Sequence, residues 1–191
     1  MTEGQLAYIK EHMQENIDLL AALGRIPAPP GREDKRAAFI KQWLEAAGAK
    51  GVYIDDAKNV IYPVGCEGGG PVVVIMAHMD IVFPDTQELP VYIENGKIYG
   101  PGIGDDTANL VQLLMSIKYV ISQKLHPSCG VVFAANSCEE GLGNLKGSRA
   151  VTEAYKGRIK EFISFDGYVG YVTNRGRIHS QCHCRRSVHA L

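Results

Sequence analysis

Leu6, Ile9, Met13, Ile17 and Leu20 recur at spacings of three and four, which predicts one amphipathic helix over residues 3–23. Pro27, Pro29, Pro30 and Gly31 end it in a rigid turn. A second helix is expected over 32–47, with Ala37, Phe39, Ile40, Trp43 and Leu44 on its apolar side and Gly48 as its stop. Residues 51–55 and 59–64 read as two short strands joined by a polar turn. After a glycine-rich connector, Val72, Val73, Val74, Ile75 and Met76 run without a polar break. Such a run predicts a central strand covered on both faces. Glu94-Asn95-Gly96 separates residues 91–93 from 97–99 as the turn of a tight hairpin. Leu110, Val111, Leu113, Leu114, Ile117, Val120 and Ile121 mark a helix over 107–123, and residues 130–136 another buried strand. A helix over 145–156 and a strand over 162–166 follow. Strands alternating with helices predict an α/β fold with a largely parallel sheet.

Chemistry-bearing residues fall where these strands end. The central strand stops at His78-Met79-Asp80, the strand at 130–136 runs into Ser137-Cys138-Glu139-Glu140, and the last ends on Asp166. Asp105 lies in the glycine-rich segment before the helix at 107–123. In open α/β sheets the carboxyl ends of strands line the ligand crevice. Imidazole and carboxylates together suit zinc, and also manganese or cobalt. Carboxylates crowded into one crevice repel each other, and two divalent cations would remove that cost. Taken alone, His78 fits a partly buried histidine bonded to a neighbour as well as it fits a ligand, and Glu139-Glu140 fits a solvated acidic loop. Adjacent glutamates point in different directions in extended backbone, so one can bind metal while the other acts as general base.

Composition narrows the classes. The chain has 191 residues, 46% of them hydrophobic, enough for a core without staples. Its net charge is −1, from 20 basic and 21 acidic residues, which calls for neither nucleic acid nor an anionic membrane. The polar N-terminus does not read as a signal peptide, and no apolar run suits a membrane span, so a cytoplasmic protein is expected. Five cysteines follow no framework spacing, and Cys66, Cys129 and Cys138 read as free thiols. Gly100, Gly102 and Gly104 invite a nucleotide-loop reading. Their spacing is wrong for it, and Asp105 and Asp106 would repel a phosphate.

The order HMD at 78–80, GPGIGDD at 100–106, a strand ending in EEG at 139–141 and a strand ending in FDG at 165–167 resembles the M20 family of metallopeptidases. That family includes peptidase T-like aminopeptidases, dipeptidases, glutamate carboxypeptidases and N-acyl amino acid deacylases. The resemblance covers residues 5–176. It implies a three-layer α/β/α sandwich with a mostly parallel mixed sheet, of the zinc-exopeptidase kind. It further implies hydrolysis of a peptide bond by water activated between two zinc ions. His78 would bind one metal and Asp80 would orient it; Asp105 would bridge both ions. Glu139 would be the general base, Glu140 a ligand of the other metal, and Asp166 a ligand of the metal held by His78. The phrases around Asp80 and Asp105 favour a short-peptide exopeptidase over an N-acyl amino acid amidohydrolase. Many family members carry lysine where this chain has Thr107, and full-length relatives are often homodimers.

Family members are about twice as long, with a lid domain and a further metal-binding histidine. The expected organisation is therefore the N-terminal part of a catalytic domain over 1–176, truncated before the lid, with an atypical tail over 177–191. Three of the six histidines and two of the five cysteines lie in that tail. Cys182, His183 and Cys184 are too crowded for a usual zinc site, and a non-native tail from a shifted reading frame is the preferred reading. The competing expectation is a catalytically incompetent fragment or metal-binding remnant, poorly soluble because its sheet has an open edge.

Overall fold

The computed structural model describes residues 1–167, together with the backbone of residues 189 and 190. The expected tail over 177–191, including Cys182, His183 and Cys184, lies outside the described residues apart from the backbone of 189 and 190.

Five strands form the main sheet: β1 (Tyr53–Ile54), β2 (Val60–Val64), β3 (Val72–His78), β6 (Gly130–Asn136) and β7 (Ile159–Phe165). Their order is β1-β2-β6-β3-β7. β3 is the middle of a parallel trio with β6 and β7, while β2 joins β6, and β1 joins β2, antiparallel. A separate hairpin pairs β4 (Tyr92–Glu94) with β5 (Lys97–Tyr99), as Asn95-Gly96 foretold, and the two-residue β8 (His189–Ala190) pairs with β5.

The unbroken apolar run of β3 is explained by cover on both sides. Val72, Val74 and Met76 join Ile61, Val132 and Ala134 against Val151 and Tyr155, on the side of α5 (Lys146–Ala154). Ala77, Phe133 and Ala135 face the opposite cluster, built with α2 (Met13–Arg25), α3 (Asp34–Ala46) and α4 (Ala108–Ser122). The two-residue period of a strand thus feeds two cores from one sequence, and the architecture is the expected three-layer α/β/α sandwich.

Two expectations need correction. The single helix over 3–23 is two, α1 (Glu3–Glu11) and α2, parted at His12. There the backbone leaves helical geometry (φ −99°, ψ 13°), while the ring stacks on Tyr8 and its Nδ1 lies 3.0 Å from the Tyr8 carbonyl. Moreover Leu6, Ile9 and Met13 are exposed, and burial begins only at Leu19. On α3 the buried face is Arg36, Ala37, Ile40 and Leu44, whereas Phe39 and Trp43 are only partly buried. A charged residue thus occupies the stripe that the pattern gave to apolar ones.

Candidate metal centre

Register delivers the site. His78 pairs with Asn136 on one side, and Ala77 with Phe165 on the other, so three parallel strands end at one level. The segments that leave them carry Asp80, Glu139-Glu140 and Asp166. The fourth arrives from an irregular helical turn, Ile103–Thr107, that leads into α4. Gly102 makes that turn possible: its φ is +66°, and a Cβ there would stand 2.3 Å from the Ile81 side chain.

His78 is the hub and is 2% exposed. Its Nδ1 donates to the Asp80 carbonyl at 2.9 Å, which leaves Nε2 to face carboxylates. Nε2 lies 3.3 Å from Asp105 Oδ1 and 3.7 Å from Asp166 Oδ1. Ligand atoms of His78, Asp105, Asp106 and Asp166 lie within 4.8 Å of one another, and so do those of His78, Glu139 and Glu140. The expected ligands His78, Asp105, Glu140 and Asp166 and the expected base Glu139 thus fall in two groups that share His78.

Asp80 has a job the sequence did not suggest. Its carboxylate is 3.6 Å from His78 Nδ1, farther than its own carbonyl. Its two oxygens accept instead from the backbone N–H groups of Glu139 (3.0 Å) and Glu140 (2.9 Å). Asp106 was also missed. It is fully buried, accepting from the His78 backbone N–H at 3.2 Å and from Asn109 Nδ2 at 2.6 Å. The adjacency of Asp105 and Asp106 beside the glycine-rich turn was the available signal.

The electrostatics favour a cation. Burial disfavours a charged His78, but Asp105, Asp166 and Asp80 outweigh it and hold its pKa well above the ordinary value. Burial raises Asp106 strongly, against the pull of His78 and Asn109. Burial, with neighbouring carboxylates adding, pushes Glu139 up and Glu140 up to about 7. Asp166 alone is lowered, chiefly by its bond to His78. The Asp105 and Asp166 oxygens both lie within 3.7 Å of Nε2, where a divalent ion would bind all three, so the donor set fits a metal.

The α/β/α sandwich gathers at its strand ends an imidazole and carboxylate cluster, a group of side chains that could hold a divalent metal. The sequence matches the model of peptidase family M20/M25/M40 over residues 74–184, and the chain belongs to that family. It is 36% identical over 137 residues to a Pyrococcus abyssi protein named as a LysW-lysine/LysW-ornithine hydrolase, covering 72% of this chain and 36% of that one. It is 30% identical over 134 residues to the LysW-lysine hydrolase of Deinococcus radiodurans, covering 69% of this chain and 34% of that one. The chain thus spans about a third of the length of these two relatives. A tripeptidase structure from Staphylococcus aureus aligns with TM-score 0.63 and 22% identity, over 81% of this chain and 43% of that one. Human carnosine dipeptidase 1 aligns with TM-score 0.66 and 13% identity, over 84% and 40%. Among the described residues, no helix is long and apolar enough to cross a membrane.

Proposed function

We propose that this chain carries the metal-binding half of a zinc-dependent hydrolase that cleaves a peptide bond in a short peptide. The observation that carries this reading is the convergence of His78, Asp105, Asp166, Glu139 and Glu140 at one edge of the sheet. His78, Asp105, Glu140 and Asp166 would hold two zinc ions; cobalt or manganese suits the same donors. Divalent ions bound there supply Lewis acidity and water activation near neutral pH. Glu139 would take a proton from the attacking water and pass it to the amide nitrogen, so that as the C–N bond breaks the nitrogen leaves as a neutral amine and the acyl carbon keeps the water oxygen as a carboxyl group. Its raised pKa suits that exchange better than an ordinary glutamate would. Asp80 keeps His78 and the two glutamates in place. A cytoplasmic location agrees with the free Cys66, Cys129 and Cys138.

The names of the curated relatives support a second substrate reading, release of lysine or ornithine from a LysW conjugate. One assay separates the two. The full protein carrying this sequence is stripped with chelator, reloaded with zinc, and offered dipeptides and tripeptides beside Nα-acyl-lysine and Nα-acyl-ornithine. Turnover restored by zinc and removed by Glu139→Gln is expected. Equal turnover in the stripped protein, or an active Glu139→Gln variant, would overturn the mechanism.

A further inference from the structure

Glu33, which precedes α3, is a carboxylate with no exposed surface. A buried carboxylate needs donors, and Glu33 finds them on one oxygen. Its Oε1 accepts from the Gly31 N–H at 2.7 Å, the Cys138 N–H at 3.1 Å and the Cys138 thiol at 3.3 Å. Cys138 stands at φ +50°, the left-handed region that a side chain disfavours, so this turn needs outside support.

The next two N–H groups, of Glu139 and Glu140, go to Asp80. Three consecutive amides are therefore held by two buried carboxylates, reaching in from 105 and about 60 positions away. Three residues after Glu33, buried Arg36 donates to the Met79 carbonyl at 2.8 Å and to the Thr107 hydroxyl at 3.4 Å. The start of α3 thus touches all three segments that leave β3, β6 and the turn before α4.

We propose that Glu33 is a positioning residue for the metal centre: by anchoring Cys138 it aims the Glu139-Glu140 pair. This rests on the metal-hydrolase reading. It assigns Glu33 no contact with substrate or metal. What matters is an acceptor oxygen at the right reach, not the charge.

Three variants of the full protein test it. Glu33→Leu removes the acceptor at similar volume, Glu33→Gln keeps an acceptor oxygen, and Glu33→Asp keeps charge but shortens the reach by one methylene. Hydrogen exchange of the amides at 138–140 is read alongside cobalt titration followed by visible absorption. Glu33→Leu and Glu33→Asp should exchange faster at 138–140 and bind cobalt at least about tenfold more weakly, while Glu33→Gln stays near the unaltered protein. kcat should fall with KM little changed. A folded Glu33→Leu or Glu33→Asp with unaltered exchange and cobalt affinity overturns the proposal, as does a Glu33→Gln as impaired as they are. If Glu33→Leu does not fold, the aspartate and glutamine variants decide. Should the unaltered protein take up no cobalt, the metal reading fails, and the exchange comparison still decides whether Glu33 holds the turn.

Discussion

The floor and the mouth of the site are both built from carboxylates, yet they are wired differently. On the floor, Asp80 and Asp106 are fully buried, and each has both oxygens on protein donors. At the mouth, the side chains of Asp105 and Asp166 are 41% and 49% exposed, and each turns one oxygen toward His78 Nε2. Asp105 and Asp106 are neighbours in the chain and fall on opposite sides of this division. A carboxylate saturated by N–H donors fixes backbone; one aimed into shared space with others is available to a ligand. Arg36 belongs to the floor, where it donates to the carbonyls of Leu23, Ile26 and Met79.

If that division is sound, Arg36→Met should have the largest effect on folding. Burial pulls the Arg36 guanidinium down to about 10, against the pull of Asp80, so it is still charged at neutral pH. Its loss leaves those carbonyls without their Arg36 donor and removes a buried positive charge that Asp80 favours. A destabilisation of about 3–5 kcal/mol is expected in urea or thermal unfolding. A variant as stable as the parent would show that the floor is not held by this residue.

The neighbouring pair gives a sharper contrast at smaller size. Asp106→Ala takes the acceptor from the buried His78 N–H and leaves the Asn109 amide only the Gly167 carbonyl, and should cost about 1–3 kcal/mol of stability. Asp105→Ala removes a half-exposed carboxylate that repels its acidic neighbours but attracts His78 at 3.3 Å, two effects that oppose each other. It should leave chelator-treated stability within about 0.5 kcal/mol while weakening zinc binding at least about 100-fold. Calorimetry of unfolding, with and without zinc, reads both. Equal stability losses in the two variants would erase the distinction between floor and mouth.

Much of this was legible because it depends on patterns a sequence carries openly. The apolar run at 72–76 said that β3 is covered twice, and the polar residues after each strand said which edge holds the chemistry. Parallel register then had to bring His78, Glu139-Glu140 and Asp166 to one level. The floor was hidden for a physical reason. Arg36 lies on the face of α3 shared with Ala37, Ile40 and Leu44, and Glu33 is in line with that face just before the helix, where periodicity predicts apolar residues. A charge there is the visible signal, but which distant N–H or carbonyl it meets is set by tertiary contact. The same holds for Gly147, whose Cβ would come within 2.3 Å of Asn59 Oδ1 and the Ser137 carbonyl. At the N-terminus periodicity misled, because the stripe of Leu6, Ile9 and Met13 is amphipathic without being buried.

Floor and mouth together make a smaller prediction, on pH. Glu140 is pushed up to about 7 from 4.5, and Asp106 is raised as well. A raised acid contributes stability that is complete below its unfolded pKa and is lost as pH climbs through the folded one. A raised histidine such as His78 behaves with the same sign: its contribution is present below 6.5 and disappears above its folded value. Asp166, lowered, acts only in acid, where its contribution is lost as pH falls below 3.8. Chelator-treated protein should therefore melt lower at pH 8 than at pH 5.5, on the order of 1 kcal/mol or about 2–4 °C. With saturating zinc the slope should reverse, because metal competes with the protons on His78 and Glu140 and binds more tightly as they leave. Melting curves at the two pH values, with and without zinc, give four temperatures. Parallel shifts in both pairs would mean that the mouth carboxylates do not share a cation.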